Sequence, residues 1–580
     1  MAAVTTTESH GTPSPREARD LDKSPGVRQA EALSSVITTQ DRAILFSAVF
    51  LVAFAYALDG VLRYTYQPLA AASFSQHSLL ATINVLRAVV ATAAQPTAGR
   101  MSDLFGRVEL VCLSVGLYIV GTIIETKANG VPMFAVGALI YQIGYTTTIL
   151  LIQVIIGDLT STRARLLCSY IPNAPFLIIT WVSGDVSRSV LGVTDWRWGI
   201  GMWCIIFPIC AAPLVVTFLL AARRVRQRGL LEDQKAQPLP WGERLLSWFW
   251  RLDVIGIILI VAVFALILVP ITIAGGFERS WKTPNVLAPL VLGLSTIPVF
   301  VYWQWRAPHP LVPFRIMGDR AVWAALGIAL LLNWVWNLQG NYLFTVLRVA
   351  FDFDLALATR VSSFYTFFSV LSGCLLGFVV LKVRRLKVFI LIGTCLNMVA
   401  FGLLIHYRGG ESSRGGVIGA QVVLGIAGGM FPYPALASLQ AVLDHEQLAV
   451  MTGLYLATYN LGAAFGNAMA GAIWTQVMPG ELERRLAGFN NATVLATLAY
   501  GDPFTFLDDY PIDTPERGAV VDAYKHSQRI LVVIGICMCV PLIGFAAALR
   551  NPKLNDNQTL AGDSLSVPQA AGDDSEGRRT

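Results

Sequence analysis

The feature that most constrains this chain is a repeated apolar segment of about 20 residues, the length of helix that crosses a bilayer. A scan along the sequence finds about fourteen such segments, the first from Ala43 to about Leu62. Apolar residues make up 55% of the 580 residues and charged residues 14%, with a mean hydropathy of +0.59, which argues against a soluble globular domain. The net charge of +6 is spread among loops, so no nucleic-acid partner is expected. We expect an all-α polytopic membrane protein embedded in the lipid bilayer.

Lys and Arg residues concentrate in alternate short loops, such as Arg100 and Arg107 after the second segment and Arg384 and Arg385 after the tenth. Because these residues favour the cytoplasmic side, we expect both termini in the cytoplasm. The basic loop 223–252 carries three tryptophans. It suits either an amphipathic stretch on the inner leaflet or a plain linker.

The expected layout is two six-helix bundles with two additional transmembrane helices between them. Its parts are a disordered cytoplasmic tail (1–42), an N-terminal bundle (43–222), a central cytoplasmic loop (223–252), two additional helices (253–305), a C-terminal bundle (306–550) with a long extracellular loop (476–529), and a cytoplasmic tail (551–580).

Two ionisable residues, Asp59 and Arg63, interrupt the first apolar segment or lie beside it. They are spaced i, i+4 with the acid first, which places them on one helix face in the favourable pairing order. Arg87 lies near the middle of the second segment, where an unpaired charge is costly, and Asp59 is its expected partner. We therefore predict that Asp59, Arg63 and Arg87 form one functional cluster beside a central path. A purely structural ion pair is the alternative.

Polar and aromatic residues inside the segments are the candidates for substrate contact, although single Asn and Tyr residues in membranes also serve as helix-to-helix links. The predicted substrate-binding residues are Tyr56, Tyr66, Asn84, Tyr141, Gln142, Tyr145, Asn173, Asn333, Trp336, Asn337, Tyr433, Tyr455 and Tyr459.

The loop after the second segment contains Gly99, Asp103, Gly106 and Arg107, in a spacing that resembles the loop signature of the major facilitator superfamily. Glycines permit a tight turn and close helix approach, and Asp103 can pair with a neighbouring helix end, so these four residues are predicted to form a conformational latch. The resemblance implies a major facilitator fold with fourteen spans, alternating access, and a substrate site between the halves lined by spans one, four, nine and twelve.

The twelfth segment contains three glycines and two prolines within residues 425–434. This composition predicts a broken or kinked helix whose exposed backbone faces protein or a wet cavity. Close packing of two helices through small residues is an equally good explanation.

Longer strings in the first six spans resemble the fungal siderophore-iron transporters of this superfamily. The strings that carry the resemblance are Asp59–Gln67, His77–Arg87, Gln95–Gly99, Tyr141–Tyr145, Ser169–Pro172 and Trp196–Trp203. The family implies import of intact ferric siderophores, mainly hydroxamates, driven by the proton gradient, and the expected proton-coupling residues are Asp59, Arg63 and Arg87. Because the chelate already coordinates its iron, neither a cofactor nor a metal site of the protein is expected, and an aromatic, hydrogen-bonding pocket suffices.

Two other functions stay open on the sequence. A fourteen-span proton-coupled exporter or exchanger of drugs or small solutes is one, although span five lacks the glycine-rich signature of such antiporters. A siderophore-sensing receptor is the other. An enzyme is not expected, since no nucleophile and base are paired in the aqueous segments. We further expect a monomer at the plasma membrane, with endosomal vesicles as a second location, and a glycan on Asn491 in the sequon Asn491-Ala492-Thr493.

Overall fold

The structure is a computed structural model and describes residues 36, 38–159, 171–228, 241–277, 281–311, 318–408, 413–442 and 445–551. The regular structure of these residues is helical, and thirteen of the helices are long and apolar enough to cross a membrane. The predicted tails 1–42 and 551–580 lie almost entirely outside the described residues.

The N-terminal bundle begins with a helix longer than the sequence predicts. This first helix starts at a capping box, in which Thr38 and Asp41 each accept a hydrogen bond from the other's backbone N–H at 3.2 and 3.0 Å. It continues past the predicted end at Leu62 to Ser73, so that Arg63 lies well inside it. The bundle comprises α1 (Thr39–Ser73), α2 (Leu80–Phe105), α3 (Arg107–Thr126), α4 (Val131–Leu159), α5 (Phe176–Val193), α6 (Trp196–Gly201) and α7 (Trp203–Gln227).

The central segment contains α8 (Trp241–Arg251), α9 (Val254–Ile273) and α10 (Pro284–Arg306). Asp253 caps α9, since its carboxylate accepts from the Gly256 N–H at 3.1 Å. The same carboxylate accepts from Trp303 Nε1 at 2.7 Å and Gln304 Nε2 at 3.0 Å, which fastens the start of α9 to the end of α10. The additional helices are therefore a joined pair.

The C-terminal bundle contains the remaining helices. They are α11 (Arg320–Gly340), α12 (Leu343–Val349), α13 (Leu355–Val383), α14 (Lys387–Tyr407), α15 (Arg414–Met430), α16 (Pro432–Gln440), α17 (His445–Leu486), α18 (Ala492–Gly501), α19 (Pro503–Asp509) and α20 (Pro515–Ala548).

The predicted thirteenth span lies inside the 42-residue helix α17, which is not among the thirteen apolar helices. Its polar residues include Tyr459, Asn460 and Asn467. Helices α2, α9, α11 and α20 pack around it. Because its neighbours shield these residues from lipid, α17 takes the fourteenth membrane position with a lower hydropathy than the others.

The two bundles meet along two helix pairs, α2 with α17 and α5 with α13. Counted in membrane spans from the start of its own bundle, each pair joins a second span to a fifth span. A two-fold rotation that exchanges the bundles therefore exchanges the pairs, as expected for two equivalent six-span bundles.

The twelfth span is broken at Phe431, between α15 and α16, whose first residue is Pro432. Its glycines also pack closely on α13. A Cβ on Gly428 would lie 2.7 Å from the Tyr365 ring, and one on Gly429 would lie 2.0 Å from Ser372 Oγ. Both explanations of the glycine- and proline-rich segment are correct, since the helix breaks and also packs through small residues.

We call the end of the molecule where α1 stops and α2 begins the far end. Here the bundles are joined by hydrogen bonds from Asn84 Nδ2 to Asn341 Oδ1 at 2.7 Å and between His77 Nε2 and Thr345 Oγ1 at 2.9 Å. Two exposed ion pairs, Arg188 with Asp354 and Arg360 with Asp185, also cross between α5 and α13. The far end is thus closed by contacts between the bundles.

The segment 476–529, predicted as a long loop, is largely helical. Helix α17 continues to Leu486, α20 starts at Pro515, and only residues 487–514, with the short helices α18 and α19, connect them. This connection covers the far end, where Phe504 packs against His77 with ring centres 5.9 Å apart. Burial raises the pKa of the Tyr500 phenol to about 12, and its hydroxyl hydrogen-bonds with Ser78.

Candidate functional site

A group of aromatic side chains from both bundles lies between them; we call it the central aromatic cluster. The Tyr64 ring meets Trp336 edge-on with ring centres 6.3 Å apart, and the ring centres of Trp336 and Tyr365 are 5.6 Å apart. Tyr56 meets Tyr145 edge-on with ring centres 5.8 Å apart. The members of the cluster are Tyr56, Tyr64 and Tyr145 from the N-terminal bundle and Trp336, Tyr365, Tyr433 and Tyr459 from the C-terminal bundle.

Tyr64 leaves 49% of its surface exposed, although it lies within α1 and its neighbours belong to the interior of the protein. It lies within electrostatic range of Arg87, Tyr145 and Tyr459 as well as in contact with Trp336. Its exposed surface therefore faces space between the bundles. Tyrosines and a tryptophan around such a space provide apolar contact area together with hydrogen-bonding groups.

Asp59 and Arg63 form the predicted ion pair, and both are buried, at 0% and 1% exposure. Arg63 Nε lies 2.9 Å from each carboxylate oxygen of Asp59. The hydroxyls of Tyr118 and Tyr141 also donate to Asp59 Oδ2, the latter at 2.8 Å. The guanidinium carbon of Arg63 lies 3.5 Å from the Tyr141 ring centre. The pair is thus enclosed between α1, α3 and α4.

A second carboxylate, Glu125 at the end of α3, completes this network. Arg63 Nη1 donates to Glu125 Oε2, and Arg63 Nη2 donates to Thr122 Oγ1 at 3.0 Å. Glu125 is fully buried, and its other oxygen, Oε1, has no hydrogen-bond partner. Arg63 therefore joins two carboxylates of different helices.

Close packing of α3 on α4 brings these groups together. A Cβ on Gly121 would lie 2.2 Å from the backbone N of Tyr141, one on Gly137 would lie 2.7 Å from the N of Glu125, and one on Gly144 would lie 2.5 Å from the N of Tyr118. The helices approach this closely because all three positions lack a side chain. We call these positions the α3–α4 glycine contact.

Arg87 was predicted to pair with Asp59, but in the structure it does not. Its Nε donates to Gln142 Oε1 at 2.9 Å, and Gln142 Nε2 donates to Thr146 at 2.9 Å. The guanidinium lies 5.7 Å from the Tyr141 ring centre and is partly exposed. The side-chain amide of Gln142 is the direct partner of Arg87, because Arg63 and two tyrosines already bond to the Asp59 oxygens. Arg87 thus lies between the buried network and the aromatic cluster.

The predicted substrate-binding residues divide into two groups. Six of them, Tyr56, Tyr145, Asn173, Trp336, Tyr433 and Tyr459, lie in or against the aromatic cluster, with Asn173 Nδ2 donating to the Tyr433 hydroxyl at 3.1 Å.

The remaining predicted contacts hold the protein together in this structure. Tyr66 packs its ring on Gly199, which turns it away from the cluster, and Tyr455 donates to the Pro432 carbonyl at 2.8 Å. Tyr141 and Gln142 bind the charged residues, Asn84 joins the bundles, and Asn333 and Asn337 link α11 internally and to the Tyr459 carbonyl.

The predicted latch loop contains one position that needs glycine. Gly106 has φ of +105° and separates α2 from α3, whereas a Cβ on Gly99 would meet only Leu150 at 4.0 Å. Arg107 is buried and donates to Ser102. The side chain of Asp103 lies outside the described part of the structure.

Sequence reasoning missed Tyr64, Tyr118, Glu125 and Tyr365. Tyr64 follows Arg63 and so lies on a different helix face from the ion pair, and Glu125 stands at the end of an apolar segment beside Lys127, where it reads as the start of a loop. The glycines of α3 and α4 were the available signal, since small residues mark helices that pack closely.

Two equivalent bundles that meet along two matching helix pairs, with an aromatic site between them, are the architecture of the major facilitator superfamily of membrane transporters. Solved structures agree with this fold. A peptide transporter of the POT type matches with a TM-score of 0.55 at 15% identity, covering 90% of this chain and 99% of that one. A bacterial homologue of the human lysosomal transporter Spinster matches with a TM-score of 0.53 at 14% identity, covering 88% of this chain and 98% of that one.

The family model described as the fungal trichothecene efflux pump (TRI12) matches residues 35–497. Siderophore iron transporter 1 of Saccharomyces cerevisiae is 42% identical over 97% of this chain and 89% of its own length. Siderophore iron transporter ARN1 of the same yeast is 40% identical over 89% of this chain and 82% of its length, and mirC of Emericella nidulans is 30% identical over 91% and 88%. The chain belongs to the fungal siderophore iron transporter family of the major facilitator superfamily, and it is a transporter rather than an enzyme.

Proposed function

We propose that this protein imports intact ferric siderophores of the hydroxamate type, by proton-coupled alternating access. The observation that carries the proposal is the 42% identity to a yeast siderophore iron transporter over 97% of the chain. Identity of this extent covers both bundles and the helices between them, and so includes every element of the candidate site.

The chemistry of the central aromatic cluster supports a bulky chelate as substrate. A ferric trihydroxamate presents a saturated metal, so its recognition needs rings for its apolar faces and hydrogen-bonding groups for its amide and hydroxamate oxygens. Tyr64, Trp336 and Tyr459 offer such surfaces, and Trp336 Nε1 is a donor without a partner. Arg87 adds a cation beside the cluster that suits oxygen-rich ligands.

The charged network supports proton coupling. Buried carboxylates in membrane proteins mark ion and proton paths, because burial without a function is costly. We propose that Asp59, Arg63 and Arg87 act as the coupling element, with Glu125 as a fourth member. Substrate bound at the aromatic cluster would change the surroundings of Arg87, and this change would reach the carboxylates through Arg63 and Tyr141.

The loop of Gly99, Asp103, Gly106 and Arg107 is proposed as the latch that favours one conformation. Gly106 supplies the turn, and buried Arg107 fixes the loop to Ser102. Arg100 adds a link toward the helix pair α9–α10, since it donates to the carbonyls of His309 and Pro310 at 3.0 and 2.8 Å. Rocking of the bundles would alter these contacts.

The remaining expectations concern the cell. We propose a monomer in the plasma membrane or endosomal vesicles, with both termini cytoplasmic, the far end extracellular and a glycan on Asn491. Asn491 and Thr493 are exposed on the connection between α17 and α20, as a glycosylation site requires.

Export is the second candidate function, since the matching family model is named for an efflux pump. The direction of net chelate movement across the membrane distinguishes import from export. Yeast cells lacking their own siderophore carriers would be loaded with radioactive iron in a cyclic trihydroxamate, a linear trihydroxamate or a tricatecholate, with and without a protonophore. We expect accumulation of trihydroxamate iron that the protonophore abolishes. Accelerated loss of preloaded chelate would favour export, and binding without accumulation would favour a receptor.

A further inference from the structure

The two buried carboxylates of the charged network have different hydrogen-bond environments. Asp59 accepts from Arg63 with both oxygens at 2.9 Å, and Oδ2 accepts from two tyrosine hydroxyls as well. Both oxygens of Asp59 thus have hydrogen-bond donors.

Glu125 has one carboxylate oxygen without a hydrogen-bond donor. Its Oε2 accepts from Arg63 Nη1, whereas Oε1 is buried without a partner. A buried carboxylate oxygen without a donor is unfavourable for the ionised group, and a proton placed on it displaces no existing bond. Of the two acids, Glu125 is therefore the one whose surroundings allow a change of charge.

The charges around Glu125 balance only when both acids are ionised. Asp59 and Glu125 carry two negative charges, and Arg63 and Arg87 carry two positive charges. Binding of one proton leaves one positive charge in excess, and Arg87 is the cation nearer the aromatic cluster. The titratable or charged groups in electrostatic range of Glu125 are Asp59 and Arg63 from α1, Arg87 from α2 and Cys204 from α7. Tyr118 and Tyr141 bond to Asp59. Arg197 of α6 donates to the Thr126 and Ala128 carbonyls and has its own counter-ion, Asp195, at 4.0 Å.

We propose that Glu125 is the residue that carries the transported proton, and that Asp59 is a positioning residue that holds Arg63. This inference rests on the proposed proton-coupled import. Glu125 lies one residue before the end of α3 at the far end, so a proton arriving from the extracellular side has a short path to it. On binding, the proton forms an O–H bond at Oε1 and weakens the Arg63–Glu125 ion pair.

The consequence for substrate follows from Arg87. Glu125 lies within electrostatic range of Arg87, and neutralising this acid leaves the Arg87 charge less compensated. The uncompensated cation attracts the oxygens of a chelate at the aromatic cluster, so protonation and substrate binding favour each other. Release of the proton from Oε1 toward the cytoplasm restores the ion pair and weakens the hold on the substrate.

The test uses the full-length protein in proteoliposomes, with radioactive iron in ferrichrome, a cyclic trihydroxamate. Wild-type protein and the Glu125→Gln, Glu125→Asp and Thr126→Val variants are compared. Thr126 is the neighbour of Glu125 on α3, and its hydroxyl donates to the Ile123 carbonyl at 2.8 Å, so Thr126→Val leaves the charged network in place. Two assays are run, accumulation driven by an inward proton gradient and counterflow between equal internal and external pH, which needs no net proton movement.

We expect Glu125→Gln to lose gradient-driven accumulation and the pH dependence of counterflow, while counterflow itself continues. Thr126→Val should keep both the accumulation and the pH dependence. Accumulation by Glu125→Gln would overturn the assignment, and so would loss of counterflow from a correctly folded variant, because the residue would then be structural.

If Glu125→Gln does not fold, Glu125→Asp decides. Its shorter side chain withdraws the carboxyl from Arg63, so the pH at half-maximal counterflow should shift from that of the wild type. An unchanged pH profile would refute the role of Glu125. Wild-type accumulation that ignores the proton gradient would instead refute the proposed coupled import, and the two failures are therefore distinct.

Discussion

The α3–α4 glycine contact makes a quantitative prediction about stability. A Cβ on Gly121 would lie 2.2 Å from the N and 2.6 Å from the Cα of Tyr141, and 2.8 Å from the Gly137 carbonyl oxygen. All of these are backbone atoms, which cannot rotate away. Ordinary contact begins at 3.4 Å. The Gly121→Ala substitution therefore requires the helices to separate by about 1 Å or the backbone to deform, as in other overpacked cores.

Overpacking of this kind typically costs about 1–3 kcal/mol, and a contact with rigid backbone belongs at the upper end of the range. We expect Gly121→Ala to lower the melting temperature of the detergent-solubilised protein, followed by fluorescence-detected size exclusion after heating. Separation of the helices also moves Tyr141, whose hydroxyl lies 2.8 Å from Asp59, so transport should fall as well.

The matched control is Gly116→Ala on the same helix, where a Cβ would meet nothing within 4 Å. Alanine favours a helix over glycine by up to about 1 kcal/mol, so this variant should melt at the wild-type temperature or above it. Equal melting temperatures for Gly116→Ala and Gly121→Ala would refute the close approach of α3 and α4.

Four further predictions follow from single contacts. Asp59→Asn should destabilise the protein by about 3–5 kcal/mol, because it breaks a buried ion pair, and a wild-type melting curve would contradict this. Tyr64→Ala should raise the KM for ferric trihydroxamate uptake, whereas Tyr302→Ala, on an exposed surface of α10, should not. Arg188→Ala should change stability by less than about 1 kcal/mol, because its ion pair is exposed, and a larger loss in denaturation would be inconsistent. Asn491→Gln should increase electrophoretic mobility to that of enzymatically deglycosylated protein, and an unchanged band would show that the sequon is unused.

Much of the architecture could be predicted because lipid imposes a simple rule. Each apolar segment must form a helix, so segment number and the division into two halves follow from hydropathy. The extent of α17 could not be predicted in the same way. Other helices rather than lipid surround it, so it can contain polar residues. The helical content of 476–529 was missed for a related reason, because α17 and α20 extend beyond the apolar part of their sequence.

Prediction of the site succeeded where the contacts were local. The i, i+4 spacing of Asp59 and Arg63 fixed their pairing, and the structure confirms it. The partners of Arg87 and Glu125 come from other helices. A single sequence does not show how one helix is rotated relative to another, so these contacts could not be predicted. The contact of the Tyr66 ring with Gly199, which lies within the N-terminal bundle, is likewise not visible in the sequence.

The α3–α4 glycine contact also has a consequence for the proposed proton coupling. Two helices whose backbones touch cannot slide past each other without collision, so this part of the bundle moves as one body when the protein changes conformation. Glu125 on α3 and Tyr141 on α4 then keep their mutual distance throughout the cycle. Under the proposed proton coupling, solvent must reach a stationary Glu125 carboxyl first from one side and then from the other, so the timing of transport is set by which side is wet rather than by travel of the acid.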